Sequence, residues 1–157
     1  MQLYYQKIKS PIGDLHLVAN DKALVYLGFK DLGWDAVKKA NAIIELTKTQ
    51  LNEYFEGKRK KFDVPLSLKG TEFQNTVWKT LGKIPFGKTW SYEQMALAVK
   101  KPTAMRAIGR TNGLNPISII LPCHRVIGKS GSLTGYAGGL PAKEFLLILE
   151  GAGATKN

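Results

Sequence analysis

Over residues 2–30 apolar and polar positions alternate in short runs split by turn residues, the pattern of antiparallel strands. The strand candidates are Leu3–Lys9, Leu15–Ala19 and Ala23–Phe29. Ser10-Pro11-Ile12-Gly13-Asp14 and Asn20-Asp21-Lys22 carry the turn chemistry between them. A meander is predicted. His16 alternates with Leu15 and Leu17, so it is expected to point off the core face in a structural role. From 35 to 56 the period changes. Ala36, Val37, Ala40, Ile43, Ile44, Leu46, Leu51 and Tyr54 form a broad stripe at helical spacing, and Gly57 ends it. The basic run Lys58–Lys61 reads as a solvated loop, and Phe62–Leu66 alternates weakly toward Gly70. The boundary between two domains is placed here, giving 1–70 as a scaffold and 71–157 as the part that carries chemistry.

The second half reads as helices. Thr71-Glu72-Phe73-Gln74 is a capping box, opening a helix that buries Phe73, Val77, Trp78, Leu81 and Ile84 before Pro85-Phe86-Gly87. Ser91-Tyr92-Glu93-Gln94 is a second capping box, for a short helix with Met95, Leu97 and Val99. After Lys100-Lys101-Pro102, Thr103 is expected to cap a third helix, Ala104–Arg110. Two short helices and a tight turn suggest a helix-turn-helix. Its second member is rich in small residues, and Arg106 and Arg110 share a face. A helix pair with solvated arginines is the simpler alternative. The last helix starts at Pro141 and stops at Gly151. Glu150 sits at its end, where its charge opposes the helix dipole, so a cationic or hydrogen-bonding partner is expected.

Between these helices lies the apolar run Asn115–Leu121, which delivers Pro122-Cys123-His124-Arg125-Val126. Cys123 is the only cysteine of the 157 residues, and His124 is one of two histidines. A thiolate is the nucleophilic form, and an adjacent histidine and arginine are expected to favour it. The alternative is a cysteine buried as a small hydrophobe. A glycine-rich stretch with Tyr136, Gly131–Gly139, follows and is suited to closing over a substrate.

Composition narrows the classes. One cysteine excludes an internal disulfide and fits a reducing, cytoplasmic setting. It also leaves no second thiol to regenerate an alkylated Cys123. His16 and His124 with one cysteine do not make a zinc site, and no metal or cofactor is implied. No run reaches the ~20 apolar residues of a membrane helix, and the start lacks the form of a secretory signal. Net charge is +11. Residues 1–70 hold 12 Lys/Arg against 8 Asp/Glu, and residues 71–157 hold 11 against 4. The excess falls on the half with the cysteine and suggests a polyanion, most simply nucleic acid.

The second half resembles the O6-alkylguanine-DNA alkyltransferases. The likeness rests on Ser91-Tyr92, on Arg106-Ala107-Ile108-Gly109, and on Asn115-Pro116 leading to Pro122–Val126. It continues through Gly135–Gly139, Lys143-Glu144 and Glu150-Gly151. The first half resembles the family in pattern only, ending in Tyr54–Gly57. The resemblance implies an α/β (α+β) fold. A small ribonuclease-H-like domain of antiparallel sheet and helix comes first, then a mostly helical domain with a winged helix-turn-helix. It implies a single-use methyltransferase acting as a monomer on double-stranded DNA containing O6-alkylguanine, with O4-alkylthymine and clustering on DNA left open. Cys123 is the implied acceptor, with His124, through a water, and Glu150 making it a thiolate. Asn115 is implied to tie the cysteine segment to the helix-turn-helix. Tyr92 is implied to assist extrusion and hydrogen-bond the flipped base, the backbone around Cys123 and Val126 to read its amino group, and Tyr136 and the amide of Ala137 to line the pocket near O6. Some members have serine where this chain has Ala137, but the implied contact there is from backbone. Arg106 is the implied finger, with Thr103, Ala104, Arg110 and Arg125 also at the DNA.

Two other readings compete. A module that binds alkylated DNA without transfer leaves Cys123 without a purpose. A cysteine hydrolase would draw its histidine from a distant segment, and His16 is the only candidate.

Overall fold

The computed structural model describes residues 1–131 and 133–152. Ser132, inside the glycine-rich stretch, and residues 153–157, at the end of the expected second domain, lie outside the described residues. The chain forms two compact units, Met1–Leu68 and a second beginning at Lys69. No helix among the described residues is long and apolar enough to cross a membrane.

In the first unit β1 (Tyr4–Ser10), β2 (Gly13–Ala19) and β3 (Leu24–Gly28) form an antiparallel sheet in the order β1-β2-β3. Lys7 pairs with His16 and Leu17 with Leu27. Leu15, Leu17, Val18 and Ala19 are all fully buried, so β2 is covered on both faces. His16 therefore does not point to solvent. It is 9 % exposed, stacked on the Tyr5 ring, with Nδ1 2.8 Å from the Tyr5 hydroxyl.

The helix α1 spans Ala42–Phe55, seven residues shorter at its start than its apolar spacing predicts. Asn41 decides the start, because its Oδ1 accepts from the Ile44 amide at 3.0 Å and caps the first turn. Val37 is instead drawn into pairing with β1. The Tyr5 amide donates to its carbonyl and its own amide to the Leu3 carbonyl. The buried stripe of α1 is Ile44, Thr47, Gln50, Leu51 and Tyr54, and Leu46 faces outward. Gln50 is buried because its amide closes a two-way exchange with Asp63. Gly57, at φ 78°, terminates the helix.

In the second unit α2 (Glu72–Leu81) and α3 (Tyr92–Ala98) both start with complete capping boxes, on Thr71/Gln74 and Ser91/Gln94. Helix α2 ends at Leu81, and Ile84 reaches the core from the turn beyond it. Leu97 of α3 is 59 % exposed, and Ala96 takes the buried place beside Met95. Helix α4 runs Met105–Gly113. Its cap residue is Ala104, without a side-chain bond, so Thr103 does not cap it. The Trp78 indole N–H donates to the Thr111 carbonyl at 2.9 Å and ties α2 to α4. Short strands β4 (Trp90–Ser91) and β5 (Val126–Ile127) pair in parallel. Helix α5 spans Leu140–Leu149. Val77, Leu81, Met95, Ile108, Val126 and Leu146 are fully buried. Each such side chain contributes ~1.5–3 kcal/mol. That core holds the segment between α4 and α5 in place.

Candidate active site

The run Asn115–Leu121 is a buried series of turns. Asn115 brackets it: its Oδ1 accepts from the Ile117 amide at 2.9 Å and its Nδ2 donates to the Leu121 carbonyl at 2.7 Å. Ile119 has φ 73°, an outlier for a β-branched residue and a strain of roughly 1–3 kcal/mol. The turns end in a single 3₁₀ turn, Cys123–Arg125, which packs against α5.

Cys123 is only 4 % exposed and forms part of the wall of a cavity of about 190 Å³. Tyr92 enters that wall from α3, Gly109, Asn112 and Gly113 from α4, and Asn115 and Ser118 from the turns. Gly135, Tyr136 and Ala137 complete it from the glycine-rich loop. Three of its ten lining residues, Gly109, Gly113 and Gly135, are glycines that take up no side-chain space.

Behind the cysteine the 3₁₀ turn meets Glu150. His124 is fully buried, and its Nε2 lies 2.8 Å from Glu150 Oε2. Arg125 Nε and Nη2 donate to the two carboxylate oxygens at 2.8 and 3.0 Å, and Nη1 donates to the Ile84 carbonyl at 2.6 Å. Burial opposes ionisation of Glu150, but the bonds from His124 and Arg125 outweigh it and hold the carboxyl at about 2. Burial also pushes the His124 pKa down, against the pull of Glu150, so the ring is neutral near pH 7. A neutral imidazole facing a carboxylate places its proton on Nε2. Nδ1 is then the acceptor, and it has no protein partner among the described residues.

Burial pushes the Cys123 thiol up, only partly countered by the Asn115 hydrogen bond and the charge of Lys143. Burial thus opposes the thiolate that the neighbours of Cys123 favour in sequence. Arg125 does not supply the expected charge either, because its guanidinium is committed to Glu150. For the same reason its place at a DNA surface is corrected: it is 7 % exposed and structural.

The remaining sequence candidates separate. Tyr92, Tyr136 and Ala137 share the cavity with Cys123. Val126 is fully buried outside that lining, and its carbonyl accepts from Lys143 Nζ at 2.8 Å. Thr103, Arg106 and Arg110 are exposed on or beside α4, and Ala104 is half-buried.

Lys143 is a site residue the sequence reading missed. It is fully buried, with Nζ also 3.3 Å from the Thr134 carbonyl and hydroxyl. Thr134 Oγ1 in turn lies 2.7 Å from the Tyr92 hydroxyl. Burial lowers the Lys143 pKa to about 8. The signal was present in sequence, because Lys143, Leu146, Leu147 and Glu150 follow the i, i+3, i+4, i+7 spacing of one helix face.

The chain matches two family profiles. Residues 3–68 match the ribonuclease-like domain of 6-O-methylguanine DNA methyltransferase, and residues 72–152 match its DNA binding domain. A methylated-DNA–protein-cysteine methyltransferase of Methanosarcina barkeri is 47 % identical, over 94 % of this chain and 97 % of its own. The constitutive enzyme of that name from Bacillus subtilis is 41 % identical, over 94 % of each. The crystal structure of Mycobacterium tuberculosis OGT in complex with DNA superposes with a TM-score of 0.89 at 46 % identity, over 95 % of this chain and 93 % of that one.

Proposed function

The chain belongs to the 6-O-methylguanine DNA methyltransferase family and is an enzyme that transfers methyl groups from methylated DNA to a protein cysteine; from that premise we propose the residues and steps of its chemistry. The substrate is duplex DNA carrying O6-alkylguanine, bound by one copy of the chain. Guanine O6 lies inside the duplex, so the nucleotide is extruded, at a cost of a few kcal/mol that weak pairing of the damaged base reduces. Arg106, exposed on α4, enters the stack and holds the gap. The base enters the cavity beside Cys123.

The observation that carries this reading is a cavity-wall thiol followed in the chain by a buried histidine whose Nε2 meets Glu150 and whose Nδ1 has no partner among the described residues. Through one water, the Cys123 proton passes to Nδ1, and Glu150 steadies the imidazolium that forms. The sulfur then attacks the alkyl carbon. A C–S bond forms, the C–O6 bond breaks, and its electron pair stays on the guanine. The departing anion is stabilised by the Tyr92 hydroxyl and takes up a proton at N1 from water, which the His124 imidazolium replaces by giving up the proton it took from Cys123. The anion is thus generated on demand from a protonated thiol. The product is a thioether with no good leaving group and, with no second cysteine, no internal thiol to reverse it. Each molecule acts once.

Mass spectrometry after incubation with a duplex containing O6-methylguanine tests this. One methyl increment per chain, on the peptide bearing Cys123, is expected. Cys123→Ala is expected to gain none while still binding the duplex. An increment elsewhere, or repeated turnover, contradicts the scheme.

A further inference from the structure

The departing guanine needs the Tyr92 hydroxyl as a donor, so the direction of that O–H matters. Tyr92 lines the cavity from α3, and its hydroxyl lies 2.7 Å from Thr134 Oγ1. Two hydroxyls can be joined in either sense, because each is both donor and acceptor. If Tyr92 donates to Thr134, its proton is spent and its oxygen offers the base only a lone pair. If Thr134 donates to Tyr92, the Tyr92 proton is free to point into the cavity.

Lys143 breaks the tie. Its ammonium carries three N–H donors and no acceptor. Nζ donates to the Val126 carbonyl at 2.8 Å and lies 3.3 Å from both the carbonyl and Oγ1 of Thr134. Burial lowers its pKa to about 8, which leaves it largely charged near pH 7. A cation on that side attracts a lone pair of Oγ1 and repels the hydroxyl proton. The proton turns instead to the Tyr92 oxygen. A hydroxyl that accepts one hydrogen bond donates the next more strongly, because chained bonds polarise one another. The charge of Lys143 is thus passed to the cavity wall through two hydroxyls. Neither Lys143 nor Thr134 is part of that wall among the described residues.

We propose that Thr134 is a positioning residue: held by Lys143, its hydroxyl donates to Tyr92 and so aims the Tyr92 O–H at the base in the cavity. The inference rests on the functional reading of Tyr92 given above and extends it to a residue that touches no reacting atom. It also gives the glycine-rich loop a part in the chemistry, since Thr134 ties that loop to α3 through Tyr92 and to α5 through Lys143.

The test is single-turnover methyl transfer to the full chain from a duplex carrying O6-methylguanine. Thr134→Val removes the hydroxyl at nearly constant shape. Its limiting rate is expected to fall about tenfold, the worth of one hydrogen bond, with the half-saturating duplex concentration within about twofold of wild type. Thr134→Ser keeps the hydroxyl and is expected to stay within about twofold of the wild-type rate. Tyr92→Phe is expected to be slow, and adding Thr134→Val to it is expected to slow it no further, because the two residues act as one unit. A Thr134→Val at the wild-type rate overturns the proposal while the functional reading stands. So does a Thr134→Ser as slow as the valine variant, which would make the effect one of loop shape. An undiminished loss from Thr134→Val in the Tyr92→Phe background overturns it as well. If the valine variant does not fold, Thr134→Ala takes its place with the same outcomes. A Tyr92→Phe at the wild-type rate removes the role of Tyr92 and this inference together. A wild type that takes no methyl from O6-methylguanine brings down the whole functional reading.

Discussion

The two units spend their charged residues differently. In the first, acids and bases meet at the surface: Lys7 and Lys9 with Asp14, Lys48 with Glu45, Lys58 with Glu56 and Arg59 with Glu53. Its buried polar side chains, His16, Thr47 and Gln50, carry no fixed charge. In the second unit the arrangement is inverted. Glu150, Arg125 and Lys143 are inside, while Lys79, Lys83, Lys88, Lys100, Lys101, Arg106, Arg110 and Lys129 are exposed. Exposed pairs contribute ~0–1 kcal/mol each and are easily exchanged. Buried ions are costly to desolvate and are retained where their geometry has another use. Buried charge, more than polarity as such, is what distinguishes the working unit from the scaffold.

Removing one carboxylate from each unit is the most direct way to break that comparison. Glu150→Gln leaves Arg125 buried without its counter-charge and His124 without its anionic partner. A loss of ~3 kcal/mol in unfolding free energy is expected, together with transfer slowed by roughly tenfold or more. Glu53→Gln, whose pair with Arg59 is partly exposed, is expected to cost ~0.5 kcal/mol and leave transfer unchanged. Denaturant unfolding and single-turnover methyl transfer measure both. Equal stability losses would mean that buried and exposed pairs are equivalent here.

Acid separates the units more gently. The Glu150 carboxyl titrates at about 2 when folded, against 4.5 for the free group. A depressed acid contributes stability that is complete above the unfolded value and is lost as pH falls through the folded one. The window is therefore about pH 4.5 down to 2, and the amount is on the order of 3 kcal/mol. His124 acts in the same direction at higher pH. Its lowered pKa means stability that is full above 6.5 and declines below it, because the unfolded ring protonates first. Hydrogen exchange followed from pH 7 to 2 is expected to show the amides of α5 losing protection before those of β2. The reverse order would refute the assignment of Glu150 and His124 as the acid-sensitive groups.

The same contrast explains what was legible in sequence. Local rules carried far: both capping boxes, the meander, and the helix stops at Gly57 and Gly151 follow from residues within one turn of each other. They failed where a tertiary partner overrode spacing. Val37 fits a helical stripe but pairs with β1, and Leu97 fits one but faces solvent. At the site, motif and resemblance both single out Cys123, His124 and Glu150, and the fold sets Cys123 in a cavity wall and His124 against Glu150. The effect of burial on the Cys123 thiol was not legible, because desolvation depends on packing that neighbouring letters do not reveal. Arg125 was misjudged for the same reason. A basic residue is read as exposed by default, and its acid partner lies 25 residues away. Lys143 went unassigned because its burial rests on contacts with the Val126 and Thr134 carbonyls that its neighbours in sequence do not show.

The smallest expected effect on the fold belongs to Arg106. Neither it nor Arg110 forms an ion pair among the described residues, and both are exposed on one face of α4. Arg106→Ala is thus expected to change unfolding free energy by less than ~0.5 kcal/mol, as surface substitutions do. Transfer from duplex DNA is expected to fall about tenfold, because the space left by the extruded base has no occupant. Reaction with free O6-benzylguanine, which needs no extrusion, is expected to stay within about twofold of wild type. Lys9→Ala, an exposed cation of the first unit bound to Asp14, is expected to alter neither rate. Equal losses on duplex and free base for Arg106→Ala would place it in the chemistry, and an equal loss for Lys9→Ala would give the first unit a part in DNA binding.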